Sequence, residues 1–152
     1  MHKHTSYLFA VLVFVFLISC GEKLKKVTKE TYPNGKPKLE QYFSNDGKEV
    51  LVKEIQYHPN QKKKMEGGFE NTQRSGLWTA WFEDGKKWSE GYFKNGLNDS
   101  IRTVWHPNGN KYYIGYYSAG KKVGIWKFWD ETGKLAKEID FDKMANDTLN
   151  LR

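Results

Sequence analysis

The sequence predicts an all-β fold, an open, twisted antiparallel meander of tandem β-hairpins, and three observations carry that prediction. The first is a unit. Gly76-Leu77-Trp78-Thr79-Ala80-Trp81-Phe82, the polar turn Glu83-Asp84-Gly85-Lys86, and Lys87-Trp88-Ser89-Glu90-Gly91-Tyr92-Phe93 read as an aromatic run, a tight turn and a second aromatic run. The second is its period: Gly109 stands 24 residues after Gly85 and Gly133 another 24 on, while Gln61 stands 24 before it and Gly35 a further 26 back. Self-similarity at about 20–50 residues marks a repeat architecture. The third is a column, since the eighth residue past each turn position is aromatic in all five copies: Phe43, Phe69, Phe93, Tyr117 and Phe141.

Taken in order, the chain opens on residues 1–19, which have a short basic start at His2, Lys3 and His4 and an apolar core from Tyr7 to Ile18. That core is shorter than the roughly 20 residues of a membrane-spanning helix, as expected of a cleaved export signal. Leu17-Ile18-Ser19-Cys20-Gly21 follows, and it resembles the lipobox of bacterial lipoproteins. The resemblance implies cleavage before Cys20, acylation of its sulfur, and a membrane as the first partner. Cys20 is the only cysteine, so no disulfide framework is expected. Each buried acyl methylene contributes about 0.8 kcal/mol and stable anchoring takes more than one chain, which a multiply acylated cysteine would supply. The formal net charge is +7, and the signal removes only Lys3 from it. A basic surface favours acidic proteins, anionic head groups or nucleic acid, and export makes nucleic acid the least expected of these.

Residues 20–29 are polar and basic, without an aromatic, and read as the acylated cysteine and a flexible tether. A basic rather than acid-rich segment after Cys20 places the protein, as an expectation, on the outer membrane facing the periplasm. Residues 30–143 hold the repeats, and 144–152 lack the pattern and read as a tail or a short helix over the last strand. The turns are Tyr32-Pro33-Asn34-Gly35, His58-Pro59-Asn60-Gln61, Phe82-Glu83-Asp84-Gly85, His106-Pro107-Asn108-Gly109 and Asp130-Glu131-Thr132-Gly133. Proline pre-sets φ, asparagine or aspartate suits the third position, and glycine takes the left-handed conformation that closes the hairpin. Gln61 stands where glycine is wanted, so the second hairpin is expected to be irregular.

Alternation about each turn sorts the side chains onto two faces. Leu77, Thr79 and Trp81 recur as Ile101, Thr103 and Trp105 and as Ile125, Lys127 and Trp129; this constant face is expected to be the more buried. Gly67, Gly91 and Gly115 are bare positions over which a neighbouring ring can lie. With strands about 4.8 Å apart, a repeat advances roughly 10 Å and five make a curved sheet about 45 Å long.

The unit Gly-x-Trp-x-x-Trp-Phe, a turn with Asp-Gly-Lys, then Glu-Gly-Tyr-Phe resembles the MORN repeat variant of bacterial exported proteins, including those called YwqK-family antitoxins. The match is strong in the copies centred on Gly85, Gly109 and Gly133, and Ser100-Ile101-Arg102 departs from it. The resemblance implies an open sheet of hairpins serving as an interaction surface, with no enzyme and no cofactor. Antitoxin or immunity-type neutralisation of a toxin by direct binding is the alternative reading.

The chemistry-bearing residues agree with binding. His58 and His106 lie two repeats apart, roughly 19 Å, too far to share a metal ion. Glu40, Glu66, Glu90 and Glu138 form one column, with Ile114 in the remaining copy. Members about a repeat apart do not make a catalytic carboxylate pair, and the column is expected to pair with lysine across the sheet. Two binding surfaces remain. Lys36, Lys62, Lys86 and Lys134 follow the turns as a positive rail suited to anionic head groups or an acidic envelope protein, with Asn110 the exception. Trp78, Phe82, Trp88, Tyr92, Tyr112, Tyr116, Trp126 and Phe128 make the more variable aromatic face, the candidate contact for a protein or glycan.

Overall fold

The structure, a computed structural model, describes residues 24–144; the expected signal at 1–19, Cys20 and the tail from residue 145 lie outside the described residues. Ten strands follow one another: β1 (Lys25–Thr31), β2 (Pro37–Phe43), β3 (Leu51–Tyr57), β4 (Lys63–Glu70), β5 (Gln73–Trp81), β6 (Lys87–Lys94), β7 (Leu97–Trp105), β8 (Lys111–Ser118), β9 (Lys121–Trp129) and β10 (Leu135–Asp140). Each pairs with the next in a single ten-stranded sheet, so spatial order is chain order. The pairings are antiparallel throughout, as the hairpin repeats predicted.

Turn chemistry explains the hairpins. Asn34, Asn60, Asp84 and Asn108 each accept, through Oδ1, the amide two residues on, at 3.1, 3.0, 2.9 and 2.9 Å. The next residue returns its own amide to the first carbonyl of the turn, Gly85 to Phe82 and Gly109 to His106, both at 2.9 Å. Gln61 does the same to His58 at 2.9 Å with φ at 68°, so the second hairpin is regular, against expectation. The residue accepts the left-handed conformation, and its side-chain amide donates to the Pro37 carbonyl at 3.2 Å. At the opposite ends of the strands Asn71-Thr72, Asn95-Gly96 and Ala119-Gly120 all have positive φ, the two-residue turns whose twist matches the strands. The longer loop at 44–50 takes up the two extra residues of the first step.

Residues 25–29, expected to belong to the tether, are instead part of the strand Lys25–Thr31. A turn at Tyr32–Gly35 needs a strand on each side. This edge strand is built from charge: Lys26 reaches Glu40 at 2.8 Å, Lys25 reaches Glu49, and Lys29 lies 5.5 Å over Phe43. Lysine-rich edges also discourage pairing with other chains.

The constant face is not the buried one. Trp78, Ala80, Val104 and Trp126 on the opposite, front face are 4, 4, 7 and 2 % exposed, whereas Leu77, Ile101 and Ile125 on the back are 43, 38 and 48 % exposed. A repeated bulge is the reason. Gly67 faces Trp78 but Gly68 faces Ser75, which leaves Gly76 and Leu77 extra on the β4 side; Ser100 and Ile101 are extra in the same way. Gly76, Ser100 and Gly124 have φ of 70, 59 and 64°, and the kink lifts the following residue out to solvent. Meanwhile the indoles of Trp78 and Trp126 lie flat over Gly67 and Gly115, where a Cβ would fall inside the rings. Phe69 and Phe93 flank Trp78 at 5.4 and 6.0 Å, and Tyr117 and Phe141 flank Trp126 at 5.1 and 5.3 Å. Phe141 begins a single helical turn, 141–144, that closes this end of the front face. In the first copies burial passes to the back, at Glu40 (3 %) and Ile55 (5 %).

Candidate functional site

The sheet divides the eight expected contact aromatics into three groups. Trp78 and Trp126 are core: each indole nitrogen donates inward, to the carbonyls of Gly68 and Tyr116 at 3.0 and 3.2 Å. Phe82, Trp88, Tyr112 and Phe128 stay on the front near the turns. Trp88 and Tyr112 are the extra residues of a second bulge, because Ala80 faces Ser89 while Trp81 faces Lys87, and Val104 faces Tyr113 while Trp105 faces Lys111. That bulge leaves them about half exposed. Tyr112 packs against His106 at 4.9 Å and Phe128 at 6.3 Å, and these rings with Ile139 and Lys137 line an open recess of about 550 Å³. Tyr92 and Tyr116 point the other way, paired with Leu77 and Ile101 across β5–β6 and β7–β8.

Those last pairs belong to a band of the back face. Leu77, Tyr92, Ile101, Tyr116 and Ile125 are all exposed large apolar side chains and run along the sheet from one repeat to the next. Nearer the turns a second row alternates lysine and tryptophan. Lys63, Lys87 and Lys111 stand 6.0, 5.7 and 5.9 Å over the rings of Trp81, Trp105 and Trp129. Leu77, Ile101 and Ile125, like Trp81, Trp105 and Trp129, repeat at 24 residues; alternation alone, without the bulge, assigned these columns to the more buried face and Tyr92 and Tyr116 to the other.

The charged columns have structural partners. Glu66 is paired by Lys53 and Lys63, Glu90 by Lys87 at 2.6 Å, and Glu138 by Lys127 at 2.9 Å. Burial pushes the Glu66 carboxyl up, but its two lysines outweigh that and hold it below the usual carboxylate range. Of the expected lysine rail, Lys62 donates to the Asp84 carbonyl at 2.6 Å and Lys86 to the Pro107 carbonyl at 3.2 Å. Asn110 makes the equivalent bond, to Glu131 at 2.7 Å, so this column ties the second, third and fourth turns each to the next. Lys36 and Lys134, at the two ends, are exposed. His58 and His106 donate from Nε2 to the carbonyls of Trp81 and Trp129 at 2.9 and 3.0 Å, the same kind of tie. Among the described residues no group of three or more His, Cys, Asp or Glu side chains could hold a metal ion.

Similar solved structures include the Glycosylation Associate Protein complex from Streptococcus agalactiae, 14% identical, TM-score 0.46, over 89% of this chain and 25% of that one. S. aureus TarM is also similar, in one structure at 12% identity, TM-score 0.33, over 78% of this chain and 20% of that one. The chain thus spans a quarter or less of the proteins it resembles. No curated protein matches it. Residues 74–95 and 122–143, the two hairpin segments with a buried tryptophan following a left-handed glycine, match the family model of the MORN repeat variant.

Proposed function

We propose that the chain is a non-enzymatic binding module of the bacterial cell envelope, held at the outer membrane through acylated Cys20 and offering its back face to a partner protein in the periplasm. The exposed apolar band carries this reading. Leu77, Ile101 and Ile125 recur at one column although they remain 43, 38 and 48 % exposed, so burial in the sheet's own core gives no reason for apolar side chains there. Contiguous apolar surface of that kind marks contact sites. The ion pairs support binding over catalysis, because the Glu66, Glu90 and Glu138 carboxylates are each engaged and lie one repeat or more from one another.

The test is capture from envelope extract with the full chain solubilised in detergent, as wild type and as the Tyr92→Ser/Ile125→Ser double variant. A species retained by the wild type and lost by a variant of unchanged circular dichroism is expected. Identical captures would remove the back face as the contact. Metabolic labelling with a tagged palmitate should mark the wild type and not Cys20→Ala, and an unlabelled wild type would remove the anchor.

A further inference from the structure

A second opening, of about 410 Å³, lies on the back face between Trp105 and Trp129, with Lys111 between them and the turn glycines Gly109 and Gly133 beneath. Small-ligand sites fall at about 300–1,000 Å³. Its charge sets it apart from the other copies. Lys63 and Lys87 are each neutralised by the glutamate three residues on, Glu66 at 2.5 Å and Glu90 at 2.6 Å. In the fourth copy, after the turn at Gly109, that position is Ile114. Lys111 is exposed, its ammonium 5.9 Å from the Trp129 ring centroid, and among the described residues it has no carboxylate partner.

We propose that this cleft binds an acidic sugar residue of a glycan, its pyranose ring against an indole and its carboxylate on Lys111. A cation without a carboxylate partner among the described residues, set between two half-buried aromatic walls, calls for an anion attached to a flat, partly apolar body. A pyranose carries both in one rigid unit: axial C–H groups form an apolar face, and the acid group projects from the ring edge. An acidic peptide brings its carboxylate on a flexible stem, with nothing to fill the walls. The row also has the right geometry for a chain, since Trp81, Trp105 and Trp129 are one repeat apart, roughly 10 Å, about the length of a disaccharide. A neutral sugar would lie over Trp81 and Trp105, where Lys87 is already paired. Gly109 and Gly133 lie at the turn end of the groove, and Asn110, which also lines it, is held in its bond with Glu131.

Calorimetric titration of the full chain in detergent with a hyaluronan hexasaccharide, in which a uronic acid alternates with an N-acetylhexosamine, tests this. Binding weakened by salt is expected, with uncharged cellohexaose and oligoglutamate both far weaker. Lys111→Gln should lower the affinity about tenfold or more. Ile114→Glu should do the same without touching the cleft wall, by giving Lys111 the partner its counterparts have. The absence of hexasaccharide binding would overturn the proposal. So would affinity unchanged in both variants, equal binding of cellohexaose, or equal binding of oligoglutamate, which would make this a site for acidic peptide.

Discussion

Arg102 donates from Nη1 to the Asn98 side-chain oxygen at 2.7 Å, and the repeats on either side hold a different pair in the same two columns. There Arg74 lies 4.1 Å over Trp78 and Lys122 lies 4.6 Å over Trp126. The front-face column thus alternates between an indole capped by a cation and a guanidinium capped by an amide. The middle repeat departs from the Trp pattern at both positions at once. A cation over an indole contributes about 0.5–2 kcal/mol. Arg102→Trp alone would lack its cap, so the double variant Asn98→Lys/Arg102→Trp should be more stable than the sum of the singles by about that amount. Urea unfolding of the four proteins in the cycle measures it, and additivity would mean that the two columns are independent.

The flat packing of indole on glycine makes its own demand. A Cβ at Gly115 or Gly67 would lie within the ring of Trp126 or Trp78, whereas at Gly91 it would meet the Arg102 Cγ at 3.1 Å, part of a chain that can bend aside. Overpacking a rigid neighbour costs about 1–3 kcal/mol. Gly115→Ala and Gly67→Ala should therefore lower stability by at least that much, and Gly91→Ala by less. Denaturant midpoints at constant m-value will rank them, and an equal loss at all three would point to backbone effects instead.

These contacts show how far the sequence could be read. Period, turn position and strand order were visible because they depend on local chemistry, as at Asp84-Gly85, where the side chain and the left-handed residue close the hairpin without help from distant residues. The buried face was not visible in the same way. A bulge at Gly76 changes which of Leu77 and Trp78 points inward, and its signal, the glycine before the pair, looks like any other glycine until its φ of 70° is seen. The lysines after the turns were legible as a column, but their bonds to the next turn depend on the twist that brings Lys62 to Asp84. Strand β1 was missed because its lysines carry no apolar pattern, and its partners Glu40 and Phe43 lie across a turn.

Three non-glycine residues, Gln61, Thr72 and Ser100, hold glycine conformations at repeat columns. Ser100 stands at φ 59° in the column of Gly76 and Gly124, and Gln61 at φ 68° in the turn column. A left-handed conformation costs an L-residue about 1–2 kcal/mol, part of which glycine returns through its looser unfolded chain. Ser100→Gly should therefore raise stability by about 0.5–1 kcal/mol, seen as a melting temperature higher by about 2–5 °C. Gln61→Gly should gain less, because it also loses the bond to Pro37. A lower melting temperature for Ser100→Gly would show that its hydroxyl bond to Asp99 outweighs the strain.

Glu40 predicts an acid dependence. Its carboxylate is buried and accepts from Lys26 at 2.8 Å, Tyr57 at 2.9 Å and Tyr42 at 3.0 Å. Burial pushes the carboxyl up, but the three donors together outweigh it and hold it below the usual range. The unfolded chain therefore takes up the proton more readily. Stability from this group is fully present above the ordinary glutamate value of about 4.3 and is lost as pH falls through the lower folded value. Glu40→Gln keeps the shape and removes the charge, so it should cost about 1–3 kcal/mol near neutrality. The gap between wild type and variant should then close as the pH is lowered from about 6 to about 3. Unfolding in urea at several pH values follows that gap. Because Lys26 lies in β1, the same loss should free the edge strand first, with faster amide exchange at Lys26 and Val27 in the variant; a gap that stays constant with pH would mean that Glu40 is held by shape and not by charge.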